Sequence, residues 1–136
     1  MEMKIQTEYT MDVLTELNRK ADYHKSKFEN CKQLIDDDFA YQISWQLESM
    51  VTNQHLMNLC LTTALIIEEE GAETGLHLAL DKWKGYTSKV YNVRSASTSE
   101  VTNMISTWKY ICKLEVCEYI ENLIKSYQPK INLKKS

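Results

Sequence analysis

Turn-forming residues are so scarce in this sequence that they limit the folds it can adopt. The 136 residues include 3 Gly and 1 Pro. These two residue types supply the backbone geometry of most tight turns, and a β sandwich or barrel needs many such turns. We therefore predict an all-α protein. Since the length suits one domain, we expect residues 1–136 to form a single helical-bundle domain with flexible ends at 1–9 and 129–136.

The first part of the chain carries a heptad repeat. It follows Thr10, which we predict to be the N-cap of the first helix. Successive positions are alternately three and four residues apart, and they are Leu14, Leu17, Ala21, His24, Phe28, Cys31 and Ile35. This repeat predicts a long helix that packs lengthwise against a neighbour at a shallow angle. His24 is the polar member, and we interpret it as a hydrogen-bonded residue of the seam.

A second helix is predicted after three consecutive aspartates at residues 36–38, which indicate a turn and an N-cap. Apolar residues then continue without Gly or Pro as far as Ile67. This stretch is either one helix or two helices with a break at residues 52–54. Gly71 is placed where the helix should end, because glycine is the usual residue just past a helix C-terminus.

The remaining chain predicts a short helix and then a long one. The short helix covers roughly residues 73–84 and buries Leu76, Leu80 and Trp83, and residues 85–96 are predicted to form a long connection. Ser97 and Glu100 match a capping box at the start of the last helix, which we expect Pro129 to end. The predicted fold is an antiparallel bundle of four to five helices, two or three of them long.

Charge and cysteine content narrow the class of protein. The net charge is −3, and the 16 basic residues are lysines except Arg19 and Arg94. The acidic balance and the scarcity of arginine weigh against nucleic-acid binding, because arginine is the residue that recognises phosphates and bases best. The Lys bias is also typical of an AT-rich genome. The first ten residues lack a signal-peptide pattern, and no two of the four cysteines have CxxC spacing. We therefore expect buried free thiols in a soluble, cytoplasmic protein with no membrane partner.

The segment 81–94 is the most unusual in character, because it interleaves basic and aromatic residues. Its candidate partner-binding residues are Lys82, Trp83, Lys84, Tyr86, Lys89, Tyr91 and Arg94. Aromatic residues beside cations form hot spots for protein partners, and they also stack on single-stranded nucleic acid. The acidic, Arg-poor chain favours a protein partner. The alternative is that Trp83 belongs to the core and the lysines form an ordinary solvated face.

A metal site has weaker support from the sequence than binding of a partner by segment 81–94. Glu70, Glu73 and His77 could converge on a cation, since Glu73 and His77 are one helical turn apart. However, the Glu-x-x-His motif of di-metal bundles is absent from the sequence. A solvated helix end explains the same residues, so we predict no metal and no cofactor.

We find no nucleophile motif and no glycine-rich phosphate loop. The sequence therefore favours a non-enzymatic interaction or regulatory protein that binds a protein partner through helix faces and segment 81–94. The alternatives are a nucleic-acid-binding accessory protein that uses this segment, and a metal protein or enzyme that uses Glu70, Glu73 and His77.

Tyr41, Trp45 and Tyr110 lie off the apolar stripes of their helices. Such aromatics either widen the core or face a second subunit, so a homodimer is expected.

Overall fold

The computed structural model describes the backbone of residues 2–90 and 100–135 and the side chains of residues 7–86 and 100–127. Over these ranges the chain forms four α-helices and no strand. They are α1 (Glu2–Asp37), α2 (Phe39–Glu70), α3 (Ala72–Val90) and α4 (Glu100–Lys135). The prediction of an all-α protein is confirmed. None of these helices has a stretch long and apolar enough to cross a lipid bilayer, within the ranges described.

One residue, Asp38, separates α1 from α2. Its side chain accepts a hydrogen bond from the Tyr41 N–H at 3.4 Å, and its own N–H donates to the Leu34 carbonyl at 3.2 Å. The N-cap predicted from the three aspartates is therefore confirmed. α2 then continues without a break, so the alternative of two helices separated at residues 52–54 is wrong. Asn53 does not interrupt the helix because its side chain is buried and bonded within the protein.

One residue, Gly71, also separates α2 from α3. Its φ of 81° lies in the left-handed region that favours glycine, and its N–H donates to the Ile67 carbonyl at 2.8 Å. The helix end predicted at Gly71 is confirmed. The next N–H, that of Ala72, donates to Thr10 Oγ1 at 3.0 Å. Thr10 therefore caps α3 and not α1. The helix start predicted at Thr10 is wrong, because α1 already begins at Glu2 and buries Tyr9.

Two further helix ends differ from the prediction. α3 continues past Gly85 to Val90, so residues 85–90 are helical and not part of a connection. A glycine inside a helix costs only about 1 kcal/mol, which packing elsewhere on α3 can offset. The rest of the predicted connection and Ser97 lie outside the described residues. α4 continues past Pro129 to Lys135, so the predicted stop is also wrong; one proline removes a single backbone donor from a helix of 36 residues.

The hydrophobic core occupies only part of the length of α1, α2 and α4. Its buried residues lie at 9–21 in α1, 56–67 in α2, 72–83 in α3 and 112–123 in α4. The predicted stripe of Leu76, Leu80 and Trp83 is among them. By contrast, residues 39–52 of α2 and 100–111 of α4 include no buried residue. We call these two stretches together the open end.

Candidate interaction surface

One stripe of side chains along α2 changes from exposed to buried. Its members are alternately four and three residues apart and therefore share one face of the helix: Tyr41, Trp45, Glu48, Thr52, His55 and Leu59. At the start of the stripe Tyr41 is 62% exposed and Trp45 is 69% exposed, whereas Leu59 at its end is 3% exposed. The face that reaches the core at Leu59 is thus open to solvent within the open end.

The position of α3 accounts for this change. The Trp83 indole N–H donates to Thr63 Oγ1 at 3.1 Å, which holds α3 against α2. Thr63 follows Trp45 by 18 residues in the sequence. Eighteen residues make five helical turns and a rise of about 27 Å, so both residues lie on the same face of α2. The described side chains of α3 cover this face beside Thr63 and leave Trp45 exposed.

α4 adds further apolar side chains to the open end. Val101 and Ile111 are each 54% exposed, and Met104 is 42% exposed. α4 meets α2 next to this region, where the Cys112 thiol donates to the Thr52 carbonyl at 3.6 Å. From Cys112 onwards α4 contributes to the core. The exposed apolar residues of α4 therefore precede its packed part, as those of α2 do.

Charged residues are few on the open end. Residues 39–52 contain Glu48 as their charged residue, and residues 100–111 contain Glu100 and Lys109. Across the whole chain 26% of residues are charged. Exposed aromatic and aliphatic side chains with few charges are the composition found at the centre of protein interfaces. The open end therefore has the chemical character of an interaction surface.

A buried polar network joins α1 to α2 beside the open end. His24 is 6% exposed, and its Nδ1 lies 2.8 Å from Asn53 Oδ1. Asn53 Nδ2 donates in turn to the Ser49 carbonyl at 2.7 Å and to Ser49 Oγ at 3.1 Å, and the Cys31 thiol donates to Ser49 Oγ at 3.3 Å. The prediction that His24 is a hydrogen-bonded seam residue is confirmed. Since Asn53 Oδ1 can only accept, His24 carries its proton on Nδ1.

The two histidines near the open end are held in their neutral form. Desolvation lowers the pKa of His24. Burial, together with the charges of Lys113 and Lys109, lowers the pKa of His55 to about 4. In each ring Nε2 is buried and has no protein hydrogen-bond partner among the described residues. A neutral, enclosed imidazole is in the form that packing favours.

Two of the cysteines, Cys60 and Cys112, are also held in their neutral form. All four are buried and none forms a disulfide, which confirms the prediction of buried free thiols. Burial raises the pKa of Cys60 and of Cys112 to about 11. A thiol with so high a pKa is a poor nucleophile at neutral pH, because the thiolate is the reactive form. These residues therefore contribute packing and weak hydrogen bonds to the structure.

The structure places the described residues of segment 81–94 in different surroundings. Trp83 is 5% exposed and belongs to the core, as the alternative interpretation held. Lys84 Nζ lies 3.4 Å from Glu121 Oε1 of α4. Lys82 Nζ lies 5.4 Å from the centroid of the Trp83 ring, and the Tyr86 ring centroid lies 6.1 Å from that of Trp83. The described members thus make contacts within the molecule, and binding of a partner by this segment stays a prediction.

The other three predicted members are Lys89, Tyr91 and Arg94. Tyr91 and Arg94 lie outside the described residues, and the side chain of Lys89 does as well.

The weaker metal candidates are not gathered into a site. Glu70, Glu73 and His77 are all exposed. Within residues 7–86 and 100–127, no three His, Cys, Asp or Glu side chains are grouped so that they could hold a metal ion.

Comparisons with protein-family models, with curated proteins and with solved structures find no match.

The open end as a unit is the feature that sequence reasoning missed. Two signals could have indicated it: the single charge within residues 39–52, and the spacing that places Trp45 and Thr63 on one face. Tyr41 and Trp45 were predicted either to widen the core or to face a second subunit, and their exposure excludes a place in the core of this chain.

Proposed function

We propose that this protein is a non-enzymatic interaction module that binds a protein partner through its open end. The observation that carries the proposal is the pair Tyr41 and Trp45, which are 62% and 69% exposed on a surface with few charges. Tryptophan and tyrosine dominate the binding energy of protein interfaces when they become buried there. An apolar partner surface would remove both side chains from water at little electrostatic cost.

We propose the antiparallel bundle as the architecture that creates this surface. Its support is the order of the contacts: between α1 and α4, Lys20 lies 4.0 Å from Glu115, and the Tyr9 and Tyr127 ring centroids lie 5.3 Å apart. Rising residue numbers in α1 thus match falling numbers in α4. With 19 residues α3 is the shortest helix, and it spans about 29 Å where a helix of 32 residues such as α2 spans about 48 Å. Among the residues that the structure describes, the short third helix therefore leaves one end of the bundle uncovered.

A protein partner is favoured over the alternatives by the charges. Nucleic acid needs a cluster of cations, whereas the two stretches of the open end carry Lys109 against Glu48 and Glu100. In segment 81–94 the ion pair of Lys84 with Glu121 already occupies one of the cations. The four buried thiols support the cytoplasmic location that we propose, because free cysteines persist in reducing compartments.

Site-specific photo-crosslinking tests this function. A photoreactive amino acid replaces Ser44, which is exposed within the open end, in one variant and Leu65 in the other, so that Tyr41 and Trp45 both stay in place. The proteins are irradiated in extracts of the host cell. Leu65 is a matched control because it lies on α2, is 60% exposed and falls outside the open end. We expect a discrete covalent adduct with a protein from position 44 and none from position 65. Equal adducts from both positions, or none from position 44, would contradict the proposal.

A further inference from the structure

His24 is a buried titratable residue that lies between the four-helix core and the end of the α1–α2 pair. It follows the core residues of α1, and beyond it Cys31 and Ile35 are the buried residues of that helix. Residues 39–52 of α2 include no buried residue. We call residues 25–52 the hairpin end. Because it buries so few side chains, it is the part of α1 and α2 that can open at the lowest cost in free energy.

The packed structure fits the neutral form of the His24 ring. Nδ1 donates its proton to Asn53 Oδ1, and these two atoms lie 2.8 Å apart. Nε2 is shielded from solvent and has no protein hydrogen-bond partner among the described residues. A second proton would bind at Nε2 and create a charged N–H with no acceptor, and burying such a donor costs free energy. Protonation therefore opposes the packed arrangement.

The groups around the ring do not offset this cost. On α1 the charges of Lys20 and Lys27 oppose a positive ring, and the Tyr23 ring meets it edge-on with the centroids 5.1 Å apart. On α2 the partner is an uncharged amide. On α4 Glu115 favours a positive ring, but its carboxylate is exposed and lies 4.0 Å from Lys20 Nζ. Desolvation outweighs the amide hydrogen bond and Glu115, so the pKa of His24 lies below its ordinary value.

The His24 hydrogen bond is the first in a chain of contacts that continues into the hairpin end. Asn53 Nδ2 donates to Ser49 Oγ at 3.1 Å, and the Cys31 thiol donates to the same oxygen at 3.3 Å. When α1 and α2 separate here, water reaches both nitrogens of His24 and hydrates the charged ring together with the other polar groups. Because these bonds share their partners, loss of the first one favours loss of the next ones.

We propose that protonation of His24 opens the hairpin end, so that α1 separates from α2 there while the four-helix core stays folded. The contact between α1 and α2 is then a pH switch of the kind that histidine provides near neutral pH. The inference goes beyond the proposed function and does not depend on it, because the opening is measured on the isolated chain. The hairpin end carries Tyr41 and Trp45, so the same proton controls the α2 half of the open end.

The sign and the size of the effect follow from proton linkage. In the opened hairpin end the His24 ring has its ordinary pKa of about 6.5, whereas in the closed form its pKa is lower. The closed form therefore keeps its full stability above about pH 6.5 and loses stability as the pH falls below that value. Between about pH 7 and pH 5 the ratio of opened to closed molecules should rise by up to about 25-fold, the limit for a closed form that binds no proton.

Cysteine labelling measures this opening, because Cys31 lies in the hairpin end and Cys60 lies in the core. A dithiodipyridine reagent labels the protein over this pH range, mass spectrometry locates the modified thiol, and each rate is divided by that of the urea-unfolded chain. We expect the relative rate at Cys31 to rise by about 5- to 25-fold and to exceed that at Cys60 by at least about tenfold at the acidic end. His24→Asn keeps an amide donor for Asn53 but takes up no proton near neutral pH, so the rise should disappear.

A matched control and a measurement on the wild type complete the test. His55→Gln removes the other imidazole with an enclosed Nε2 and should leave the rise at Cys31 intact. Hydrogen exchange of the wild type needs no variant: relative to intrinsic rates, acid should accelerate exchange in peptides from residues 25–52 and not in peptides from the core. Residues 25–52 contain no histidine of their own, so this exchange decides the matter if His24→Asn does not fold.

Three outcomes would overturn the inference. An equal acid-induced rise at Cys31 and Cys60, or in peptides from the whole chain, means that the protein unfolds globally. A rise at Cys31 that persists in His24→Asn means that another group takes up the proton. Labelling and exchange that do not change with pH mean that the hairpin end does not open.

Discussion

Two glycines of α3 provide a matched test of how tightly α3 packs on α2. A Cβ atom added at Gly75 would lie 2.9 Å from Ile67 Cα, 3.0 Å from Ile67 Cγ1 and 3.3 Å from Ile67 N. A Cβ atom added at Gly85 would meet nothing within 4 Å. Two of the three atoms near Gly75 belong to the backbone of α2, so the overlap can be relieved only if α3 moves away from α2.

The expected changes in the free energy of unfolding follow from these distances. Replacing glycine by alanine inside a helix gains up to about 1 kcal/mol of intrinsic propensity. Gly85→Ala receives this gain without a penalty and should raise the free energy of unfolding by that amount. Gly75→Ala receives the same gain and also the cost of an overpacked contact, roughly 1–3 kcal/mol. Because propensity cancels in the comparison, Gly75→Ala should be less stable than Gly85→Ala by roughly 1–3 kcal/mol.

Urea denaturation followed by circular dichroism at 222 nm measures this difference. The two variants and the wild type are compared at several protein concentrations, so that any dimerisation appears as a dependence of the midpoint on concentration. In thermal unfolding the two midpoints should differ by roughly 3 °C or more for each kcal/mol. Equal stability of the two variants would refute the close approach of α3 to Ile67.

Three further predictions concern buried polar groups. Thr63→Val and Trp83→Phe each remove one partner of the indole–hydroxyl hydrogen bond and should lower the free energy of unfolding by roughly 1–3 kcal/mol; in urea denaturation, effects that simply add in the double variant would argue against the contact. His55 has a folded pKa of about 4 against an ordinary 6.5, so the unfolded chain binds the proton first and stability is lost as pH falls from 6.5 towards 4. His55→Gln should flatten the stability–pH curve in that window by on the order of 1 kcal/mol, with allowance for partial exposure; an unchanged slope would contradict this cause. Burial raises the pKa of Cys60 and Cys112 to about 11, and a thiol reagent at neutral pH should therefore modify them only as the protein opens; labelling as fast as that of an unfolded control would be inconsistent with this burial.

Helix junctions were predictable where neighbouring residues determine them. Asp38 follows two other aspartates and caps the helix that starts beside it. Gly71 adopts the positive φ that glycine accepts most readily. His24 was recognisable as a seam residue because its heptad position required it to face a neighbouring helix. In these cases the deciding interactions are local or follow from the helical repeat.

Boundaries set by distant contacts were not predictable. Thr10 has the chemistry of an N-cap, but it accepts the N–H of Ala72, which lies 62 residues away in the chain. Gly85 has no crowded neighbour and simply continues α3. No local pattern distinguishes these uses of threonine and glycine from the usual ones.

The exposure of the open end depends on the relative lengths of two packed helices. Trp45 and Thr63 share one face of α2, but only Thr63 meets Trp83. Which of the two positions is covered depends on where α3 lies against α2, and this is a tertiary property. The amino-acid composition gave one indication of this surface, because residues 39–52 carry one charge.

The single-residue links described above determine which parts of the molecule can shift. One residue spans at most about 3.6 Å, which is less than the 5.4 Å needed to slide one helix past another by a turn. Asp38 and Gly71 therefore prevent α1, α2 and α3 from sliding past one another by a helical turn. The chain between Val90 and Glu100 has nine residues, which is long enough to leave the register of α4 to be set by its contacts with the other helices. A partner that widens or narrows the open end by a sliding motion would thus do so by moving α4 along the other three helices.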